Sequence, residues 1–266
     1  MKKQIAFRDG TISYFSAGTG IPVLLIHGFG EDSSIWDNQV LFLQQSCKII
    51  AVDLPGAGGS SIFTNENVEI SDFADAVKAV INAEGITSVL MIGHSMGGYI
   101  SLAFQKKYPN ELIGLGLIHS TANADSETKK IIRKKSISFI RKNGVTPFFE
   151  TAIPGLFHDK HKNKTAIKSI IGKSNQFRDN TLIQCYEAVM NRPSSIEILQ
   201  SLSLPLLIIG GKHDEIISLK DILWQSQLSN QTHLYILKHS AHMGMIEETQ
   251  EMNDILRVFL EYLLKI

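Results

Sequence analysis

The stretch Gly93-His94-Ser95-Met96-Gly97 places a serine between two glycines, where a strand is expected to become a helix. The residues before it, 88–92, form a short apolar run of the kind seen in buried parallel strands. The residues after it repeat apolar side chains at helical spacing and stop before Pro109. A G-x-S-x-G sequence at such a junction is typical of a nucleophilic serine on a tight turn. Because the motif is common by chance, its surroundings decide its meaning.

The composition narrows the class of protein. The chain has 266 residues, is 44% hydrophobic and carries no net charge, which suits one large α/β domain with an insertion or two small domains. Neutrality does not favour a nucleic-acid partner. The N-terminus lacks the apolar segment of a signal peptide, and no window reaches the roughly 18 apolar residues of a membrane span. Cys47 and Cys185 lack metal-ligand spacing and are expected to be free thiols. We therefore expect a cytoplasmic protein without a membrane partner.

Apolar runs alternate with helical segments along most of the chain. Two runs on either side of Asp9-Gly10 predict a β-hairpin. Further strands are predicted at 22–26, 48–52, 88–92, 112–118, 204–210 and 233–237. Helices are predicted at 34–45, 68–83, 96–108, 219–227 and 245–264, the first of them capped by Ser33 or Ser34. This order predicts a mostly parallel eight-stranded sheet with helices on both faces.

The alternation is interrupted between about 122 and 191, where the sequence is helical and rich in lysine. We therefore predict a core domain of residues 1–120 and 191–266, and a helical cap (lid) of residues 121–190 inserted between two strands. The cap segment has thirteen basic and six acidic residues, against thirteen and twenty in the rest of the chain. Two interpretations of this positive charge remain: solvated helix faces, or a field that draws an anionic substrate to the site.

A serine hydroxyl becomes a strong nucleophile only when a base removes its proton and a third group orients that base. Asp214 and His242 each follow a predicted strand, and such positions lie at the same edge of a parallel sheet as Ser95. The chain order of serine, aspartate and histidine is the one expected with this serine motif. His213 and His239 are interpreted as loop or surface residues.

Five motifs in this order resemble those of the α/β-hydrolase superfamily, in its capped branch of serine esterases and related small-molecule hydrolases. The motifs are His27-Gly28-Phe29-Gly30, Asp53-Leu54-Pro55-Gly56, Gly93-His94-Ser95-Met96-Gly97-Gly98, Gly211-Lys212-His213-Asp214 and Ala241-His242. The resemblance covers residues 3–120 and 190–264, and it implies an α/β-hydrolase fold whose cap follows strand 6. Ala241 stands where the family often has glycine, and Ser218 where it often has proline, but neither departure removes a reacting group.

Attack on an ester carbonyl creates an oxyanion, which needs two fixed N–H donors. The resemblance assigns these donors to the backbone amides of Phe29 and Met96. Gly28 and Trp36 are expected to contribute to substrate binding at the same edge of the sheet. Aromatic residues of the cap segment are candidates for the pocket lining or for the core of the cap: Phe139, Phe148, Phe149 and Phe157.

The combined prediction is a serine hydrolase with the triad Ser95, Asp214 and His242, which cleaves a small carboxylic ester or thioester through an acyl-enzyme. Neither a metal nor another cofactor is expected, and the protein is expected to be a monomer or homodimer. The same triad would also serve a C–C hydrolase, a lactonase, a cofactor-free perhydrolase or a lyase resembling the menaquinone-pathway enzyme. A non-catalytic small-molecule receptor on this fold is the alternative from a different class.

Overall fold

The computed structural model describes residues 1–65 and 67–265 and contains one eight-stranded sheet. The strands are β1 (Lys2–Phe7), β2 (Gly10–Ala17), β3 (Ile21–Ile26), β4 (Cys47–Val52), β5 (Val89–His94), β6 (Leu112–Ile118), β7 (Leu206–Gly211) and β8 (Thr232–Leu237). Their order across the sheet is β1-β2-β4-β3-β5-β6-β7-β8. The pairings β1–β2 and β2–β4 are antiparallel, and every other pairing is parallel. The predicted fold class is confirmed.

Eleven α-helices connect and cover the strands within the described residues. They are α1 (Asp37–Leu43), α2 (Ile70–Ala83), α3 (Met96–Lys107), α4 (Glu127–Asn143), α5 (Val145–Ala152), α6 (Lys164–Gly172), α7 (Asp179–Asn191), α8 (Ile196–Gln200), α9 (Leu219–Gln225), α10 (Gly244–Glu247) and α11 (Thr249–Leu263). No helix in the described ranges is long and apolar enough to cross a membrane.

The predicted helices are found with ends shifted by at most two residues, and the first and last of them also differ in form. A short 3₁₀ helix (Ser33–Trp36) precedes α1, and its cap is Asp32 instead of a serine, because the Asp32 carboxylate accepts a hydrogen bond from the amide of Ser34. The predicted last helix is divided into α10 and α11 at Glu248, where φ is −127° and ψ is 56°.

Successive side chains of the buried strands point to opposite faces of the sheet. Val23 and Leu25 join the apolar cluster that also contains residues of α1 and α11. Leu24 and Ile26 join the cluster that contains residues of α2 and α3. A parallel strand covered on both faces must be apolar at every position, which explains why these strands appear in the sequence as unbroken apolar runs.

The segment between β6 and β7 is helical, as its sequence pattern predicts. It contains α4 to α8 and, in this described stretch, no strand. Buried residues of α4, α5 and α7 belong to the same apolar cluster as Leu25 of β3 and Phe259 of α11. These helices therefore pack on the body of the protein instead of extending from it. The division into a core domain and a cap remains a prediction.

A buried carboxylate fastens the N-terminal hairpin to the rest of the sheet. Glu84, just after α2, accepts hydrogen bonds from Lys3 of β1 (2.7 Å) and Tyr14 of β2 (2.9 Å), and forms an ion pair with Lys48 of β4 (2.8 Å). Its side chain is only 4% exposed. Burial opposes ionisation, but the two lysines and the tyrosine outweigh it and lower the pKa of Glu84 to about 2.

Replacing this carboxylate should destabilise the protein in a pH-dependent way. A folded-state pKa below the ordinary value gives stability above the ordinary value, and this stability is lost as the pH falls toward about 2. We expect Glu84→Gln to lower the free energy of unfolding by about 1–2 kcal/mol at neutral pH, after allowance for solvent screening of the half-exposed lysines. Urea titrations should show this deficit shrinking between about pH 5 and pH 3. Glu261→Gln removes an exposed ion pair with Arg257 and is the control. It should change the free energy of unfolding by less than about 0.5 kcal/mol throughout this pH range. A deficit that stays constant with pH would contradict this account.

Candidate active site

Ser95 occupies a strained turn between β5 and α3. Its φ of 51° and ψ of −114° are unfavourable for a residue with a side chain and cost about 1–3 kcal/mol. Three hydrogen bonds hold the turn: the Ser95 amide donates to Ile118 O, and the Ser95 carbonyl accepts from the Gly98 amide and the Ser120 hydroxyl. These three bonds involve only backbone atoms of Ser95. Its side chain is partly buried.

The flanking glycines are required by close approach of the backbone. A Cβ on Gly93 would lie 2.2 Å from the carbonyl oxygen of Gly97. A Cβ on Gly97 would lie 2.4 Å from the carbonyl oxygen of Ile26, at the end of the neighbouring strand β3. Neither position has room for a larger residue, because the obstructing atoms are backbone atoms that cannot rotate away.

Asp214 and His242 meet at the edge of the sheet, after β7 and β8. Asp214 Oδ2 lies 2.8 Å from His242 Nδ1, while Asp214 Oδ1 accepts hydrogen bonds from the amides of Ile216 (2.8 Å) and Ile217 (3.0 Å). Burial opposes ionisation of Asp214, but the facing histidines outweigh it and hold its pKa well below the usual range. The carboxylate is therefore charged at neutral pH and accepts a hydrogen bond from the protonated Nδ1 of His242, which leaves Nε2 as the basic nitrogen.

A second histidine shares the same carboxylate oxygen. His119, after β6, places Nδ1 at 3.2 Å from Asp214 Oδ2, and its ring centre lies 5.7 Å from that of His242. Burial lowers the pKa of His119 to about 4, so its imidazole is neutral at neutral pH and donates from Nδ1. No role was predicted for this residue from the sequence, although it follows a predicted strand in the same way as the predicted site residues.

These three side chains also form a group that could hold a metal ion, the one such group found among the described residues. Their ligand-type atoms lie within 4.8 Å of one another. Both Nδ1 atoms, however, are at hydrogen-bond distance from the same carboxylate oxygen, and a metal would replace the bond between Asp214 and His242. The geometry suits an oriented base better than a metal centre. The absence of a metal requirement remains a prediction.

Ser95 and His242 line the same cavity, which has a volume of about 330 Å³. Most of its wall is apolar, with Phe29 and Met96 beside Ser95, and with residues of α5, α7 and the segment after α5 opposite them. Of the four predicted cap phenylalanines, Phe148 and Phe149 are in the wall, whereas Phe157 is buried but not in the wall and Phe139 is 38% exposed on α4. A pocket of this kind suits a small acyl or aryl group.

The amides of Phe29 and Met96 have no acceptor in the described parts of the chain, and both residues border the cavity. Met96 is the first residue of α3, where an amide has no partner within the helix. The Phe29 ring stacks on Tyr186 at 4.0 Å between centroids, which fixes the loop after β3 against α7. Two free donors beside Ser95 are what an oxyanion requires.

Gly28 and Trp36, which were expected to contribute to substrate binding, are not part of the cavity wall. The Gly28 amide donates to Glu31 Oε2 at 2.6 Å, and a Cβ on Gly28 would meet Ser95 Cβ at 3.2 Å. Gly28 therefore lets the loop approach the serine. Trp36 is fully buried, and its ring is nearly perpendicular to that of His94.

Two charged clusters near the cavity were not predicted. Glu31 is buried and faces His94. Asp125 is buried between two guanidinium groups, with 2.5 Å to Arg133 Nε and 2.9 Å to Arg192 Nη1, and Arg133 is part of the cavity wall. Buried charged side chains occur almost only in pairs or clusters. Which residues form a pair can be recognised only once the tertiary contacts are known, and so the sequence did not reveal these clusters.

The chain is similar in sequence and in structure to several known proteins. A sequence profile described as "alpha/beta hydrolase fold" matches residues 21–143. The 2-hydroxy-6-oxo-6-(2'-aminophenyl)hexa-2,4-dienoic acid hydrolase of Metapseudomonas resinovorans is 26% identical, covering 93% of this chain and 86% of its own length. A thermophilic esterase from Thermogutta terrifontis, solved with malate bound, superposes with a TM-score of 0.92 and 26% identity, covering 99% of each chain. The enol-lactonase of Burkholderia xenovorans LB400 has the same fold, with a TM-score of 0.89 at 18% identity, covering 97% of this chain and all of the other.

The close approach at Gly97 leads to a stability prediction. Gly97→Ala should destabilise the protein by about 3 kcal/mol or more, because the added methyl group collides with backbone oxygens of Ile26 and His27. Gly172→Ala is the matched control, since a Cβ there meets no atom within 4 Å. Its effect should stay within about 0.5 kcal/mol. Thermal and urea unfolding measure both variants. Equal stability of the two would show that the turn is less tightly packed than described.

Proposed function

This chain belongs to the α/β-hydrolase superfamily, and we propose that it is a serine hydrolase that cleaves a small carboxylic ester or thioester through an acyl-enzyme on Ser95. The observation that carries the proposal is that Ser95 and His242 line one cavity while His242 Nδ1 is held by the ionised Asp214. The family relationship makes the chain an enzyme of the hydrolase type. The roles of individual residues are our assignment.

In the proposed reaction, Ser95 Oγ attacks the carbonyl carbon as His242 Nε2 takes the hydroxyl proton. The oxyanion accepts hydrogen bonds from the amides of Phe29 and Met96. The imidazolium of His242 then gives its proton to the departing alcohol or thiol, and the acyl group remains on Ser95. Water, deprotonated by His242, attacks the acyl-enzyme and releases the carboxylic acid. Asp214 keeps its negative charge throughout and stabilises the imidazolium.

The cavity wall supports a hypothesis about the substrate. The Asp125 carboxylate balances the charge of only one of the two guanidinium groups beside it. The cluster with Arg133 and Arg192 therefore has one excess positive charge, and Arg133 is part of the cavity wall. Two acids are also in the wall: Glu31 is paired with His94, and Glu215 is exposed at the surface, where water screens its charge. We therefore propose an ester whose acyl part carries a carboxylate. The relative from Metapseudomonas resinovorans, whose substrate is named as an acid, is consistent with this choice.

Several reactions that use the same triad remain alternatives. The C–C bond hydrolase is favoured by the relative from Metapseudomonas resinovorans, and the lactonase by the similar structure from Burkholderia xenovorans. The two cysteines of the described chain, Cys47 and Cys185, are free and buried, which supports our proposal of a cytoplasmic location. We also propose that the protein acts as a monomer or homodimer.

Covalent labelling tests the nucleophile. A fluorophosphonate should label the wild-type protein once, and Ser95→Ala should abolish both the labelling and the hydrolysis of 4-nitrophenyl butyrate, because no other group replaces the hydroxyl oxygen. Ser138→Ala, in the exposed part of α4, is the control and should be labelled at the wild-type rate. Labelling of Ser95→Ala, or a wild type that neither labels nor hydrolyses any ester in a panel of acyl lengths, would refute the proposal.

Removing the charge of the orienting acid should slow the reaction strongly. Asp214→Asn keeps the shape of the side chain but no longer favours the proton on Nδ1 of His242. We expect kcat to fall by about 10³- to 10⁴-fold, as tautomer loss does in other serine hydrolases, with a smaller change in KM. Steady-state kinetics measure this split. A loss confined to KM would show that Asp214 binds substrate instead of orienting the base.

Matched esters test the preference for a carboxylate. We expect higher kcat/KM for the 4-nitrophenyl monoester of succinate than for 4-nitrophenyl 4-methylpentanoate, which has similar shape but no charge. Raising the salt concentration should reduce the advantage several-fold through screening. Arg133→Met should raise KM for the charged ester by about tenfold and leave the neutral ester within about threefold. A preference for the neutral ester, or a flat response to salt, would favour solvated helix faces as the reason for the positive charge.

A further inference from the structure

His94, the residue before Ser95, is fully buried and has a hydrogen-bond acceptor at each ring nitrogen. Nδ1 lies 3.0 Å from Glu31 Oε2, and Nε2 lies 2.9 Å from the main-chain carbonyl oxygen of His242. The same oxygen of Glu31 accepts the 2.6 Å hydrogen bond from the Gly28 amide. The proposed reaction uses neither of these side chains.

The partners of His94 determine where its protons are. A carbonyl oxygen can only accept, so Nε2 must carry a proton. Nδ1 faces a carboxylate, and a neutral ring that already has its proton on Nε2 could not donate there. Burial opposes a charge on either group, but their mutual attraction outweighs it: the pKa of His94 is raised and that of Glu31 is lowered. The contacts therefore favour an imidazolium paired with a carboxylate.

We propose that Glu31 and His94 form a buried ion pair that positions the oxyanion loop, the nucleophile and the catalytic base relative to one another; the positioning role rests on the function proposed above. Glu31 holds the amide of Gly28, next to the oxyanion donor Phe29. His94 is bonded directly to Ser95 and holds the backbone of His242. Both residues act as positioning residues, through the groups they hold.

The arrangement joins three loops that are far apart along the chain. Gly28 follows β3, Ser95 follows β5 and His242 follows β8, and β8 is separated from β5 by two strands. Charge-assisted hydrogen bonds are stronger and more directional than neutral ones. A chain of them from the Gly28 amide to the His242 carbonyl can fix these loops within the small tolerance that acyl transfer demands.

Other ionisable groups surround the pair. The ring centre of His94 lies 4.9 Å from that of His242 and 5.9 Å from that of His119, and the Asp214 charge also favours the imidazolium. His27 faces Glu31 from the loop after β3. The fully buried Trp36 ring is nearly perpendicular to the His94 ring, with 6.4 Å between the ring centres. Both members of the pair are buried, with Glu31 at the cavity wall, so a broken partnership would leave an uncompensated buried charge.

Nitrogen NMR of the ¹⁵N-labelled wild-type protein tests the ion pair directly. His94 is assigned by the loss of its ring signals in His94→Gln. We expect both ring nitrogens of His94 to carry protons at about pH 7.5, where an ordinary histidine is mostly neutral. An unprotonated ring nitrogen on His94 at that pH would overturn the ion pair.

Kinetics test the positioning role. Glu31→Gln and His94→Gln should each lower kcat for 4-nitrophenyl butyrate by about 10- to 100-fold with little change in KM, and should slow fluorophosphonate labelling of Ser95 by a similar factor. Asp32→Asn is the control, because Asp32 is the neighbouring acid but pairs with Lys173 and caps the 3₁₀ helix. It should lower Tm without changing kcat by more than about threefold.

The outcomes separate the two proposals. Folded Glu31→Gln protein with kcat within about threefold of wild type would overturn the positioning role. If neither variant folds, the nitrogen spectrum of the wild type still decides the ion pair. If wild-type protein hydrolyses no ester and is not labelled at Ser95, the proposed function fails, while the same spectrum shows whether the pair exists.

Discussion

The conformation at Ser95 depends on how closely β5, α3 and β3 pack. The chain must change from strand to helix within one residue, which forces Ser95 to a φ of 51°. Only glycine at 93 and 97 allows this turn, since a Cβ at either position would overlap backbone atoms. The strain of about 1–3 kcal/mol is offset by the fully buried apolar strands on either side. In return, the serine side chain is presented at the floor of a largely apolar cavity.

Parallel strand order brings the other groups to the same place. Asp214 and His242 follow neighbouring strands, and their 2.8 Å contact needs no long excursion of either loop. His119 arrives from the strand beside β7 and adds a second donor to the same carboxylate. One charged oxygen thus serves two histidines, while the other oxygen of Asp214 is held by backbone amides. Such an arrangement keeps the carboxylate ionised and immobile.

Much of the fold could be predicted because the spacing of apolar residues and the positions of glycines reflect local conformational preferences. The hairpin and the buried strands follow from alternation and unbroken apolar runs, although the hairpin turn is Arg8-Asp9, one residue before the predicted Asp9-Gly10. The predicted fold class and superfamily are confirmed. The cap at Asp32 and the break at Glu248 could not be predicted, because each depends on which of several polar side chains meets a backbone amide. Glu248 accepts hydrogen bonds from the His239 amide and the Ser240 hydroxyl, which are contacts across a loop.

The residues of the candidate site could likewise be predicted only in part. Ser95, Asp214 and His242 could be proposed from motif order, and the structure brings the latter two into contact. Trp36 was expected at the substrate, but its place in the predicted helix 34–45 did not reveal that its ring would be buried beside His94. Glu31 and Arg133 were missed for the opposite reason: an acid in a loop and a base in a lysine-rich helix look solvent-exposed until their partners are known.

The central claim is that an acyl group passes through Ser95, and rapid-quench mass spectrometry during turnover of 4-nitrophenyl butyrate tests it most directly. We predict a protein population heavier by one butyryl group, with the modification on the peptide that contains Ser95, formed and lost at rates compatible with kcat. Steady turnover without any acylated protein, or an acyl group found on a different residue, would contradict the account.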